Sequence, residues 1–160
     1  MALAIKKAKE VGIGLVVANH STHFGIASFY STQALKEKMI GISMSNTTPI
    51  SCPTRSNSRS LGSNPISFVA PGEESDNFIL DMATTSVSFG KLEILKMENK
   101  ESLPIPSTWG LNKEGQETTD LKEVIDQGSL LPLGGSEQSC GYKGYGLIFL
   151  GSYFPLSFIF

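Results

Sequence analysis

The run Ile13-Gly-Leu-Val-Val-Ala18 constrains this chain most, because it is short, uncharged and rich in β-branched residues. Such a run reads as a buried strand, and a buried strand requires neighbours on both sides. Ahead of it, Leu3, Ile5 and Val11 alternate with Lys6, Lys7, Lys9 and Glu10, which predicts a helix over residues 2–11 with Gly12 at its C-cap. Behind it, residues 19–23 form a polar loop, and residues 24–38 read as a helix with lysines and Glu37 in its last turns. Residues 40–45 are a second strand-type run. The order helix, strand, helix, strand predicts an α/β architecture, a mixed sheet with flanking helices.

Residues 46–65 are rich in Ser, Thr, Asn and Pro and carry Arg55 and Arg59. Long loops of this kind in compact domains are often functional. Ile66–Ala70 and Phe78–Met82 read as strands, joined by a turn at Pro71-Gly72 and an acidic stretch. Thr84 or Thr85 is placed to cap a helix running through Glu98. Residues 99–120 are irregular, 120–126 a short helix and 130–135 a loop, and a last helix begins near Lys143. No internal repeat is present in the sequence.

With 40% hydrophobic and 18% charged residues, the 160 residues have the composition of a folded domain with a core. The net charge of −2 and a single basic cluster, Lys6-Lys7-Ala8-Lys9, point away from nucleic acid. Cys52 and Cys140 stand far apart without a CxxC spacing, so neither a disulfide framework nor a zinc site is indicated, and a reducing, cytoplasmic setting is expected. Charges at Lys6, Lys7, Lys9 and Glu10 argue against a signal sequence over residues 1–20. The apolar stretch 147–160 contains Pro155 and falls short of the roughly 20 residues a membrane helix needs, so no membrane association is expected.

Few residues are suited to chemistry. His20 and His23 share a His-x-x-His spacing, but no third ligand stands nearby, so no metal is expected. His23 follows a strand directly, at the end where ligands bind in α/β sheets, and an imidazole exchanges protons near neutral pH. It reads either as an acid/base residue or as a loop histidine bonded to backbone. Asp81 interrupts the apolar run Phe78-Ile-Leu-Asp-Met-Ala, where an acid is costly unless paired. It reads equally as a group that orients a histidine or binds a cofactor, and as a cap for the helix that follows. Gly141-Tyr-Lys-Gly-Tyr-Gly offers backbone amides and an ammonium to a phosphate but matches no standard phosphate loop. Gly12-Ile-Gly14 precedes a strand, so it is not a Rossmann turn.

Six segments, in order, resemble the malate/L-lactate dehydrogenase-2 family. Asn19-His-Ser-Thr-His23-Phe-Gly-Ile-Ala is similar to its "N-S-x-H-F-G" segment, and Met39-Ile-Gly-Ile-Ser-Met-Ser-Asn46-Thr47 to the strand and loop that follow. Leu61-Gly-Ser-Asn-Pro-Ile-Ser-Phe resembles "LGTNP-I-F", and Phe78-Ile-Leu-Asp81-Met-Ala-Thr84 resembles "LDMAT". Leu131-Pro-Leu-Gly-Gly135 and Gly141-Tyr-Lys143-Gly-Tyr-Gly-Leu147 complete the series. The resemblance implies hydride transfer between NAD or NADP and a small 2-hydroxy or 2-oxo acid, such as malate or lactate. It also implies a non-Rossmann nicotinamide-binding fold of the sulfolactate/malate dehydrogenase type and a homodimer. By the same resemblance His23 is the catalytic acid/base, Thr47, Asp81, Met82 and Ala83 contact the cofactor, and Lys143 lies near it.

The family also has an N-terminal "D-S-H-G" segment, which nothing before Met1 supplies, and a continuation beyond "KGYGL" that residues 151–160 replace. The resemblance therefore implies an incomplete enzyme. Residues 1–150 are expected to form a partial cofactor-binding and catalytic domain, and residues 151–160 a divergent apolar tail. The alternative expectation is an inactive fragment or splice product that associates with full-length subunits.

Overall fold

The structure is a computed structural model, and it describes residues 1–74 and 76–153. It contains helices and sheets in alternation, and it divides into two compact units. Unit 1 takes Met1–Asn46 and Pro65–Met82, with Tyr153. Unit 2 takes Thr47–Asn64 and Ala83–Ser152.

In unit 1 the first helix, α1 (Ala2–Val11), forms as the periodicity predicts, and it buries Ala4 and Ala8. Gly12 ends it in the left-handed conformation, φ 89°, with its N–H on the Ala8 carbonyl at 2.8 Å. Strands β1 (Gly41–Met44), β2 (Ile66–Ala70) and β3 (Phe78–Met82) follow the predicted runs and pair antiparallel in the order β1-β2-β3. The register sets Ser43 opposite Ser67, and Ser67 opposite Asp81. Directly opposed side chains share a face, so a polar row crosses the sheet. The short helix α2 (Ala27–Ser31) packs on this sheet, with Ser31 Oγ 2.7 Å from Ser67 Oγ.

Two expectations for unit 1 are corrected. Residues 13–18 are not a buried strand: they run without regular structure, and Ile13, Leu15 and Val17 are exposed. The reason is the absence of a partner, since β1, β2 and β3 pair only with one another and no described strand lies along 13–18. Residues 24–38 are not one α-helix. The α-helix begins at Ala27 and gives way after Ser31 to a 3-10 segment, Thr32–Glu37, closed by Lys38 at φ 56°. Ser31 and Thr32 hydroxyls donate back to the Ser28 carbonyl at 3.3 and 2.7 Å, and such back-bonding competes with regular helix continuation.

Unit 2 holds both buried apolar clusters. The larger joins Val87, Leu92, Ile105, Leu121, Val124 and Leu130, and the smaller Cys52, Leu111 and Leu131. Leu92 comes from α3 (Phe89–Met97), and Leu121 and Val124 from α4 (Leu121–Asp126). Asp120, expected within the short helix, instead caps α4, accepting from the Lys122 and Glu123 amides. Arg59 closes the other end of α4, donating to the carbonyls of Val124, Ile125 and Gly128. Strands β4 (Gly110–Leu111) and β5 (Ser129–Leu130) form a small antiparallel pair, so the irregular stretch and loop expected here each contribute a strand. The helix expected from Thr84 or Thr85 begins instead at Phe89, because both hydroxyls are engaged elsewhere. The last helix, α5 (Gly141–Tyr153), carries Lys143 in its first turn and runs past residue 150, while residues 154–160 of the expected tail lie outside the described residues. Among the described residues no helix is long and apolar enough to cross a membrane.

The apolar burial of the two units differs in kind. In unit 1 the buried apolar side chains are Ala4, Ala8, Ala27, Ala34 and Val69, while Phe29, Phe78 and Ile79 are more than half exposed. Backbone amides without partners exchange freely, whereas those in a flanked strand are protected. In hydrogen–deuterium exchange, residues 13–18 should exchange at rates near those of an unfolded peptide, and Val69 at the centre of the sheet should be among the slowest of unit 1. Protection of 13–18 equal to that of Val69 would contradict the absence of strand pairing along this segment.

Candidate functional site

In unit 1, His23 lies on an exposed loop, and its Nδ1 accepts the Gly25 N–H at 3.0 Å. The lone pair at Nδ1 is thus engaged, which places the proton of the neutral ring on Nε2. His20 is also exposed, in a left-handed conformation at φ 53°. Among the described residues no group of three or more His, Cys, Asp or Glu side chains is placed to hold a metal.

Asp81 answers the question its position raised. It caps a helix, but not the one that follows it in sequence. Its Oδ2 accepts the Ser28 N–H at 3.1 Å, in the first turn of α2. The residue that precedes α2 is Ile26, whose side chain cannot cap, so β3 supplies the acceptor. A carboxylate there also meets the positive end of the helix. Asp81 thereby anchors the helix that begins immediately after the His23 loop. Met82, the next residue of β3, is half-buried.

In unit 2, Thr47, Ala83 and Lys143 belong to segments held in one frame by Asn64. Asn64 is 2% exposed, at φ 32°. Its Oδ1 accepts the Thr47 N–H at 3.0 Å, and its Nδ2 donates to the Ile148 carbonyl of α5 at 2.9 Å. Thr84, next to Ala83, donates its hydroxyl to the carbonyls of Ser63 and Asn64 at 2.9 and 3.1 Å. Thr47 Oγ1 in turn accepts the Ser63 N–H at 2.8 Å. Gly62 lies so close that a Cβ there would stand 2.4 Å from Thr47 Oγ1 and 2.5 Å from Asn64 Oδ1. Only glycine fits that approach without displacing the two side chains. Asn64 was visible in the sequence only as a member of the Leu61-Gly-Ser-Asn-Pro segment, whose polar composition resembles an ordinary loop.

Lys143 is exposed at the start of α5, and its ammonium makes no ion pair among the described residues. An ammonium without an ion pair in a helix's first turn suits an anionic group such as a phosphate. Ala83, next to Thr84 in the same unit's frame, is half-buried and apolar. These groups fit a nicotinamide dinucleotide's mixture of phosphate and flat apolar surface.

A cavity of about 660 Å³ also lies in unit 2, lined in part by Cys52, Arg55, Asn57, Glu114, Glu117 and Glu137. None of the expected site residues lines it. Arg55 and Glu137 close into a two-pronged ion pair, which holds the Glu137 carboxyl below the usual carboxylate range. With Arg55 so engaged, the lining carries an acidic excess that repels a dinucleotide's phosphates. Burial pushes the Cys52 thiol up, so the cavity also lacks a reactive thiolate.

The arrangement is that of an α/β protein with an exposed imidazole on one unit and a lysine-bearing helix start on the other. The family model for malate/L-lactate dehydrogenase matches residues 1–154, and the chain belongs to that family. It is 51% identical over 148 residues to a malate dehydrogenase of Pyrococcus horikoshii, covering 92% of this chain and 40% of the relative. It is 43% identical over 148 residues to an L-sulfolactate dehydrogenase of Methanocaldococcus jannaschii, again covering 92% of this chain and 40% of the relative. A solved malate dehydrogenase of Entamoeba histolytica superposes with a TM-score of 0.86 at 35% identity, over 94% of this chain and 42% of that one. The chain thus spans about 40% of the length of the curated relatives it matches. The family and the sulfolactate/malate dehydrogenase type of fold are those the sequence resemblance implies.

If Asn64 frames unit 2, replacing it should loosen that unit. Asn64→Ala leaves the half-buried Thr47 amide and the buried Ile148 carbonyl without this partner, at a cost of about 1–3 kcal/mol. Urea unfolding followed by the fluorescence of Trp109, the one tryptophan, should show a loss of that size. An unchanged midpoint would remove Asn64 from this role.

Proposed function

We propose that the chain contributes the acid/base histidine and much of the cofactor surface to an oxidoreductase acting between NAD or NADP and a small 2-hydroxy or 2-oxo acid, such as malate or lactate. The supporting observation is that the family match runs through His23, Thr47, Asp81, Met82, Ala83 and Lys143, and that His23 presents its Nε2 edge away from the backbone bond at Nδ1. Residues 1–150 act here as a partial cofactor-binding and catalytic domain, whose last helix α5 continues to Tyr153. The working form is a homodimer in the cytoplasm.

When bound, the nicotinamide ring accepts or returns the hydride. The chain's own part is proton handling and placement. In the reductive direction, the doubly protonated His23 ring gives its Nε2 proton to the oxygen of the oxo acid. In the oxidative direction, Nε2 takes the hydroxyl proton and therefore needs its lone pair, which moves the ring's remaining proton to Nδ1. That state and the doubly protonated ring both carry a proton on Nδ1 and give up the Gly25 bond, so the geometry observed is the resting form of the neutral ring. In unit 2, Lys143 would hold a cofactor phosphate and Thr47 and Ala83 would contact the cofactor from the Asn64 frame; in unit 1, Asp81 and Met82 are given cofactor contacts by the family resemblance.

A second reading has its own support. The exposed Phe78, Ile79, Ile13 and Leu15 of unit 1 are suited to burial against further polypeptide, as in an inactive fragment that associates with full-length subunits. One experiment separates the two. The purified chain is titrated with NADH and NADPH and assayed for malate-dependent reduction of NAD and NADP. Turnover that falls about 10²–10⁴-fold in His23→Asn, with cofactor binding retained, is the expected result. Cofactor binding without turnover transfers the case to the second reading, and no binding of either cofactor overturns the proposal.

A further inference from the structure

The His23 loop is held by α2 through contacts that no role assigned above requires. Tyr30, half-buried on α2, donates its hydroxyl to the Phe24 carbonyl at 2.7 Å. Its ring stacks on the Phe24 ring, with centroids 5.2 Å apart and planes 11° from parallel. Phe24 is thus gripped at both its backbone and its side chain, between His23 and Gly25. The helix doing the gripping is itself fixed twice to the sheet, by Ser28 N–H on Asp81 and by Ser31 on Ser67. A continuous path runs from β3 and β2 through α2 to Phe24. Gly25, at φ 89°, then turns its N–H onto His23 Nδ1.

We propose that Tyr30 is a positioning residue for His23, on a helix that Asp81 anchors: it holds the His23-Phe24-Gly25 turn so that Gly25 N–H stays on Nδ1 and the ring proton on Nε2. The proposal rests on the reading of His23 as the acid/base residue for its importance, but its geometry stands apart from that reading. An exposed loop without such a grip samples many arrangements, and both imidazole tautomers with them. The grip sets the resting form of the ring; proton transfer then needs only the ring to leave the Gly25 N–H, while the turn that carries His23 is already placed before the substrate arrives.

The test uses the whole chain and no cofactor. His20 and His23 are the two histidines, so ¹⁵N-labelled imidazole spectra at a pH where the rings are neutral resolve one probe and one internal reference. His23 should show an excess of the Nε2–H tautomer over His20. Tyr30→Phe removes the hydroxyl and keeps the ring. It should bring His23 to the His20 ratio and speed Gly25 amide exchange by roughly threefold to tenfold, the range for one neutral hydrogen bond. Trp109 in unit 2 should not respond. Asp81→Ala should reproduce the effect, and Asp81→Asn, which keeps an oxygen for Ser28 N–H, should restore the wild-type spectrum. That pair carries the test if Tyr30→Phe fails to fold.

The proposal is overturned if His23 shows no tautomer excess in the wild type, or if the excess survives Tyr30→Phe. It is equally overturned if Asp81→Asn behaves as Asp81→Ala. Because no step involves turnover, a tautomer excess that responds as expected in a chain where His23→Asn remains fully active would sink the catalytic reading alone.

Discussion

The side-chain amide of Asn64 is the interaction on which the placement of the candidate cofactor contacts of unit 2 depends. A carboxamide has one acceptor and two donors, and this one spends them on segments distant in sequence, the loop at Thr47 and helix α5 at Ile148. Because the group is buried, losing either partner is costly, and the two segments are therefore fixed relative to each other. Thr84 adds the third segment by bonding to the Ser63 and Asn64 carbonyls. The three cofactor-side candidates of unit 2 each lie on or next to one of these segments. None of them has to supply its own rigidity.

Unit 1 solves the same problem with less apolar material. Its buried apolar side chains are mostly alanines, which let backbones approach closely but remove little surface from water. What fixes α2 on the sheet is polar: Ser31 on Ser67 and the Asp81 carboxylate on the Ser28 amide. Ser67 and Asp81, opposite one another in the sheet register, provide these partners. The acid that looked misplaced in an apolar strand is there because a helix starts against it. A strand end and a helix start are rigid, and the His23 loop inherits that rigidity.

The sequence made some of this legible and hid the rest for definite reasons. Ala2–Val11, Ile66–Ala70 and Phe78–Met82 were readable to the residue, because periodicity and breakers at their ends are local signals. Residues 13–18 carried a strand's composition, but pairing belongs to the neighbour and not to the run itself. The start of α3 was misjudged because Thr84 and Thr85 resemble caps, while their hydroxyls serve Ser63, Asn64 and Val87 instead. Asp81 as a cap was foreseen, but its helix was not, since the bond spans 53 positions backwards along the chain. Asn64 gave no sign, because burial of an asparagine in a loop-like segment is decided by tertiary contacts. The candidate site residues come from motifs, whereas the residues that brace their segments, Asn64 and Tyr30, show their part only through tertiary contacts.

The central claim is that Thr47, Ala83 and Lys143 form one cofactor surface, and that the acidic cavity elsewhere in the same unit does not bind it. Backbone amide shifts during an NADH titration of the labelled chain test this directly. The account predicts that Thr47, Ala83 and Lys143 shift together and saturate at one concentration. Shifts concentrated at Arg55, Asn57, Glu114 and Glu137, with those three residues unmoved, would contradict it.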